Sequence, residues 1–234
     1  MMPGAGRLIL LRRPPVLNLV EERWVPADVD LDEIDALWRA LIEDNPRYHD
    51  GECLHVLGVV RNGLSGATIH LAPSSYRFHA VRRLGVDTGI RPLGVKGLVV
   101  AGGSSGSRRL VVGRRSESSG SYPGCWEFLP GGGVEPGPRG GVDLEEVVGR
   151  ELREETGFGG RVDPLAVAIL EDRVAGSWEV VYRMVIDSTS ALVAPGWEHD
   201  EIRLVVPEDL PSPASDAAIF LQALGRKVLD SSEA

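Results

Sequence analysis

Apolar positions in the first ninety residues change period several times, and each change predicts an element. Arg7 to Arg12 is an apolar run with the texture of a short strand, interrupted by Pro14-Pro15. From Leu31 the spacing becomes helical. Leu31, Ile34, Leu37, Trp38 and Leu41 fall on one face, Asp28 or Asp30 can cap the first free N–H groups, and Asn45-Pro46 ends the helix. Leu54 to Arg61 and Ala67 to Leu71 read as strands on either side of Asn62-Gly63, a dipeptide that suits a tight hairpin turn. Ser75 to Arg83 reads as a short helix, and Thr88 to Pro92 as a boundary.

Beyond that boundary the pattern is dominated by strands. Leu93 to Val100 and Arg109 to Arg115 are apolar runs joined by a glycine-serine turn at 102–107. Further strands are predicted near Pro164 to Leu170, Ser177 to Ile186 and Ile202 to Val206. One helix is predicted from about Asp143 to Thr156. Another opens at Ser212-Pro213, with the serine as cap and the proline in the first helical position, and runs through Leu224. Strands, one acidic helix, more strands and a closing helix predict a mixed α/β (α+β) sandwich. The organisation expected is an N-terminal extension over 1–91, a main domain over 92–211, and a C-terminal helix and tail over 212–234.

Composition narrows the function. A formal charge of −9 argues against a general nucleic-acid or membrane-surface binder, since such proteins present basic patches. No apolar run is long enough for a signal segment or a membrane span. Cys53 and Cys125 have no metal-type spacing and read as reduced thiols of a cytoplasmic protein. The glycines and prolines are spread through the chain without a repeat period.

The chemistry concentrates between Gly131 and Phe158, GGGVEPGPRGGVDLEEVVGRELREETGF. Glu151, Glu154 and Glu155 share one helical face, because at ~100° per residue Glu154 lies about 60° to one side of Glu151 and Glu155 about 40° to the other. Like charges so crowded repel one another and call for a cation. A hard divalent ion with oxygen ligands meets that need and keeps coordination positions for phosphates. Gly157 supplies a left-handed residue to end the helix.

This stretch resembles the Nudix box, G-x5-E-x7-R-E-U-x-E-E-x-G-U with U bulky and hydrophobic. Arg150 to Phe158 match its second half without a gap. The first half departs from it: counted from Gly132, Pro138 stands where the family has its first glutamate, and counted back from Arg150, Val142 does. Pro138 to Gly141 read as a four-residue insertion. The resemblance covers roughly residues 93–211 and implies a Nudix-type α/β/α sandwich with a mixed sheet. It further implies a Mg²⁺-dependent, or Mn²⁺-dependent, hydrolase of diphosphate anhydrides, and it is compatible with a homodimer. Carried over residue by residue, Glu151, Glu154 and Glu155 are the expected metal ligands, with Glu151 and Glu154 also catalytic. Glu201, in His199-Asp200-Glu201, is the expected further acid or base, while Glu145 and Glu146 are expected to face solvent, with partial replacement of the missing carboxylate by either as the alternative.

Gly131 and Gly132 are expected to let backbone approach phosphate, and Arg114 or Arg115 to grip it. The pieces Asn45-Pro46-Arg47-Tyr48-His49-Asp50-Gly51, Ser75-Tyr76-Arg77-Phe78 and Pro92-Leu93-Gly94-Val95 follow the order seen in the extension of UDP-glucose pyrophosphatase-type Nudix hydrolases. That similarity implies an NDP-sugar such as UDP-glucose as substrate, with Tyr76 and Arg77 at its base or sugar phosphate. ADP-ribose or a dinucleotide is the alternative substrate, and a non-catalytic nucleotide sensor the alternative class.

Overall fold

The computed structural model describes residues 6–102, 108–137, 141–187, 192–193 and 196–231. The turn at 103–107 and Pro138 to Gly140 of the expected insertion lie outside the described residues.

The central element is β5 (Leu93–Gly102), buried along nearly its whole length. It pairs in parallel with β10 (Ser177–Ile186) and antiparallel with β6 (Arg108–Arg115). On one side the sheet continues from β10 through β9 (Leu165–Asp172) to β1 (Leu8–Leu10). On the other it continues from β6 to β11 (His199–Val205). Two three-residue strands, β7 (Trp126–Phe128) on β6 and β8 (Gly131–Gly133) on β5, complete an eight-stranded mixed sheet.

Alternation along β5 divides the core. Val95 and Val99 pack with Leu144, Val148 and Leu152 of α3 (Leu144–Thr156), whereas Leu98 and Val100 pack with Leu221, Leu224 and Val228 of α4 (Asp216–Asp230). Helices therefore cover both faces, giving the α/β/α sandwich. Burying each such leucine or valine contributes about 1.5–3 kcal/mol.

A second sheet, β2 (Val16–Leu19), β4 (Ala67–Ser75) and β3 (Glu52–Arg61) in that order, joins the α3-side core through Leu54, Val56, Ile69 and Leu71. Helix α1 (Leu31–Asp44) is capped by Asp30, which accepts from the N–H groups of Asp32 and Glu33 at 2.9 and 3.4 Å. Its Ile34, Trp38 and Leu41 form a third cluster with Phe78 and Val81. Phe78 belongs to the single turn α2 (Arg77–Ala80), and Val81 to the 3-10 turn that follows.

Several expected boundaries shift. Ser75 ends β4 instead of starting a helix. The closing helix is capped by Ser215, not Ser212, because tertiary pairing claims the preceding residues. The Trp126 N–H donates to the Pro213 carbonyl at 2.8 Å, and the Ser215 N–H to that of Trp126 at 2.9 Å. The helix then continues to Asp230, six residues past the expected end.

Burial also sets an acid limit on the fold. His55, stacked 4.1 Å from Trp24, and His79 are both lowered from the usual 6.5 to about 4, by burial first and by neighbouring arginines second. Because the folded value lies below the unfolded one, the unfolded chain binds more protons between those limits. The stability contributed by neutral histidine is complete above about 6.5 and drains away as pH falls toward 4. The buried carboxyls of Glu179 and Glu155, held above their usual values, act with the opposite sign in the same window, so the histidine contribution is read by difference. The Tm of His79→Leu relative to the native chain is expected to rise as pH falls from 7.5 to 4.5, and a difference that stays constant across that range would contradict this burial.

Candidate active site

Helix α3 aims its carboxylates at the sheet. Asp143 caps it by accepting from the Glu145 and Glu146 N–H groups at 3.1 and 3.0 Å, and Gly157 closes it in the left-handed region with φ 69°. Glu145 and Glu146 are exposed on its first turn. Glu151, Glu154 and Glu155 line one cavity of about 200 Å³, together with Trp197, Glu198 and His199 of the segment entering β11. Their exposure differs sharply: the Glu154 side chain is 62% exposed, while Glu155 as a residue is 7% exposed. Arg150 braces Glu151, donating from Nη2 to Oε1 at 2.9 Å.

The glycine cluster explains how these carboxylates reach the sheet. The Gly131 N–H donates to both Glu155 oxygens, at 3.3 and 3.2 Å. A Cβ on Gly132 would lie 2.3 Å from Glu151 Cδ, and one on Gly131 would lie 2.5 Å from Lys96 Nζ. Side chains at these positions would push the helix carboxylates and the lysine away. Gly132 thus makes room for Glu151 and Gly131 for Lys96, while the Gly131 N–H serves Glu155.

Behind the cavity lies a buried charge network. Glu127 receives Lys96 Nζ at 2.9 Å and Arg115 Nη1 at 2.6 Å, and His199 Nε2 stands 3.4 Å from its Oε1. Burial pushes the Glu127 carboxyl up, but Lys96 and Arg115 outweigh it and hold the group well below the usual range. Among the described residues, none forms an ion pair with Glu155. Burial first and Glu127 second push its carboxyl well above the usual range, with Lys96 only partly opposing them. Glu151 is raised by burial too, and Arg150 acts against this. A buried carboxyl with only a backbone N–H to neutralise it fits a cation site, because a divalent ion would hold it ionised. Oxygens of Glu155 and Glu198 and a ring nitrogen of His199 lie within 4.8 Å of one another.

The structure does not bring the other expected residues to this cavity. Glu201 pairs with Arg203 at 2.6 Å, and Glu198 is the carboxylate of this segment that lines the cavity. A β-bulge lies between His199 and Glu201. The Glu198 backbone is fixed by the loop after β6: its carbonyl accepts from the Ser116 N–H at 2.8 Å and the Ser119 hydroxyl at 3.1 Å. Arg115 is buried against Glu127, and Arg114 is half-exposed near Glu117 at 4.0 Å. Arg77 pairs with Asp50 at 3.1 Å and Asp35 at 3.3 Å. Tyr76 lines a second cavity, of about 240 Å³, with Arg82, Arg83, Ser121 and Tyr122. Glu198, Glu127 and Lys96 are residues at or behind this cavity that sequence reasoning missed, and His199 was reached only as part of His199-Asp200-Glu201. The only signal available for them was the place of His199-Asp200-Glu201 before a strand.

Comparison with known proteins follows this geometry. The NUDIX domain model matches residues 91–224. No curated protein matches the chain. Similar solved structures include the MutT protein from Methanosarcina mazei Go1, with 22% identity over 61% of this chain and 95% of that one and a TM-score of 0.42. The NUDIX domain of Shewanella oneidensis NrtR, complexed with ADP ribose, has 19% identity over 58% and 87%, with a TM-score of 0.43. A C. elegans Ap4A hydrolase has 15% identity over 60% and 98%, also with a TM-score of 0.43. The family match spans more than half of the chain's 234 residues, and by it the chain belongs to the Nudix hydrolase family.

Proposed function

We propose that the protein is a Mg²⁺- or Mn²⁺-dependent pyrophosphohydrolase that cleaves the diphosphate bridge of a nucleoside diphosphate linked to another moiety, with an NDP-sugar such as UDP-glucose as preferred substrate. The observation that carries this reading is the convergence of Glu151, Glu154, Glu155 and Glu198 on one cavity, with Glu155 buried and lacking a side-chain cation. Glu151, Glu154 and Glu155 would hold the ion. When bound, it supplies charge neutralisation for the diphosphate and lowers the pKa of the attacking water. Arg150 fixes the Glu151 carboxylate, and the Gly131 N–H fixes that of Glu155. Glu198, across the cavity, takes the proton of the water as its oxygen attacks one phosphorus. The P–O–P bridge then breaks and two phosphate monoesters leave.

The second cavity, lined by Tyr76, Arg82 and Arg83, would receive the sugar or base, an aromatic face and guanidinium groups suiting a nucleotide. The free thiols Cys53 and Cys125 suit a cytoplasmic setting, and none of the described helices is long and apolar enough to cross a membrane.

The departure of the box's first half from the family pattern favours one other reading, a sensor that binds nucleotide without cleaving it. Incubation with UDP-glucose, ADP-ribose, dinucleotides and nucleoside triphosphates, with Mg²⁺, Mn²⁺ or EDTA, separates the two. Metal-dependent release of UMP and glucose 1-phosphate is expected. Tight binding of any panel member with no product from any of them would establish the sensor instead.

A further inference from the structure

His199 has a setting that the carboxylate chemistry alone does not require. It is 4% exposed at the start of β11, and its Nε2 lies 3.4 Å from Glu127 Oε1. Two ion pairs, from Lys96 at 2.9 Å and Arg115 at 2.6 Å, keep Glu127 a carboxylate. A carboxylate only accepts hydrogen bonds, so it selects the imidazole tautomer that carries its proton on Nε2 and leaves the Nδ1 lone pair free. The imidazole also belongs to the cluster in which nitrogen and carboxylate oxygens of Glu155 and Glu198 lie within 4.8 Å of one another. An imidazole beside metal-ready carboxylates, backed by a carboxylate, is the arrangement in which an outer partner orients a metal ligand. Glu127 is held from both sides by cations and cannot swing away, which gives that orientation a rigid base.

We propose that His199 adds a nitrogen ligand to the divalent cation that Glu155 helps to hold, with Glu198 beside them left as the proton acceptor, and that Glu127 is the positioning residue of His199. An imidazole among carboxylates makes the site favour a first-row transition ion such as Mn²⁺ over Mg²⁺, which prefers oxygen. The inference rests on the metal-dependent reading above for the presence of a cation, but not for the reaction.

The test uses Mn²⁺ alone with the full chain and no substrate. Pulsed electron paramagnetic resonance on bound Mn²⁺ is expected to show ¹⁴N coupling, replaced by ¹⁵N coupling when the protein carries ¹⁵N-histidine. Of the chain's five histidines, His199 is the one that joins a group of three candidate ligands among the described residues. In His199→Gln the coupling should vanish, and Mn²⁺ affinity should fall by about tenfold or more while Mg²⁺ affinity changes far less. Glu127→Gln should keep a weakened coupling and lose about ten- to a hundredfold in Mn²⁺ affinity. Mn²⁺ bound without nitrogen coupling in the unaltered protein would overturn the inference and leave metal-dependent hydrolysis standing. Nitrogen coupling without hydrolysis of any panel substrate would uphold it and sink the hydrolase reading. The labelling measurement needs no variant, so a misfolded His199→Gln does not blunt the test.

Discussion

Glutamine in place of Glu155 is expected to lower kcat on the preferred substrate by about a hundred- to a thousandfold, the scale on which removal of one preorganised electrostatic group acts. Glutamine preserves the shape and can still accept from the Gly131 N–H, so the glycine strand and α3 should stay in place. What disappears is the anionic charge. In the native chain that charge is disfavoured by burial, and then by Glu127, unless a cation is bound. The metal-free variant should therefore melt at or above the native Tm, and the rise in Tm that saturating Mn²⁺ gives the native protein should shrink. Native kcat together with an undiminished metal-induced shift would remove Glu155 from the site.

Lys96→Met should have the largest effect on stability. Lys96 is 4% exposed and stands between Glu127 at 2.9 Å and Glu179 at 4.0 Å. Methionine fills much the same volume but leaves Glu127 with Arg115 as its remaining cation and Glu179 with none from this pair. Breaking a buried pair from one side costs about 3–5 kcal/mol. For a chain of this length that corresponds to a Tm lower by about 10 °C. Burial already pushes the Glu179 carboxyl up to about 7 despite Lys96, so losing the lysine should drive Glu179 further toward its neutral form. Changing Glu127 to glutamine in the same chain should recover part of the loss, because the stranded charge goes with it. A double variant no more stable than Lys96→Met would argue that the lysine acts through packing alone.

The helix half of the box was legible because its signals are local: three glutamates at helical spacing and a closing glycine lie within a few residues of one another. Most of the long strands were legible for the same reason, as runs of apolar residues bounded by turns. The glycine strand was not, since Gly131 to Gly133 have no side chains to show alternation and become a strand only by pairing with β5. Glu198 lines the cavity and Glu201 does not, and the bulge between His199 and Glu201 arises from pairing with β6, which no local pattern announces. Lys96 and Glu127 are 31 residues apart, and each looks unremarkable in its own strand. Their pairing is a property of the folded sheet, which no periodicity reports.

The short strand at Leu8–Leu10 has a consequence beyond its size. It lies before the region that the family model matches, yet it pairs with Ala168 to Leu170 and finishes the larger sheet. A fragment starting at Arg91 would leave the backbone of β9 open along that side, a template for another chain to add a strand. In the intact chain the replacement edge is three residues long, and Arg12-Arg13-Pro14-Pro15 follows closely, charges and prolines that do not extend a ladder. Residues 8–15 thus cover the β9 edge and replace it with a short, charged and proline-bounded one.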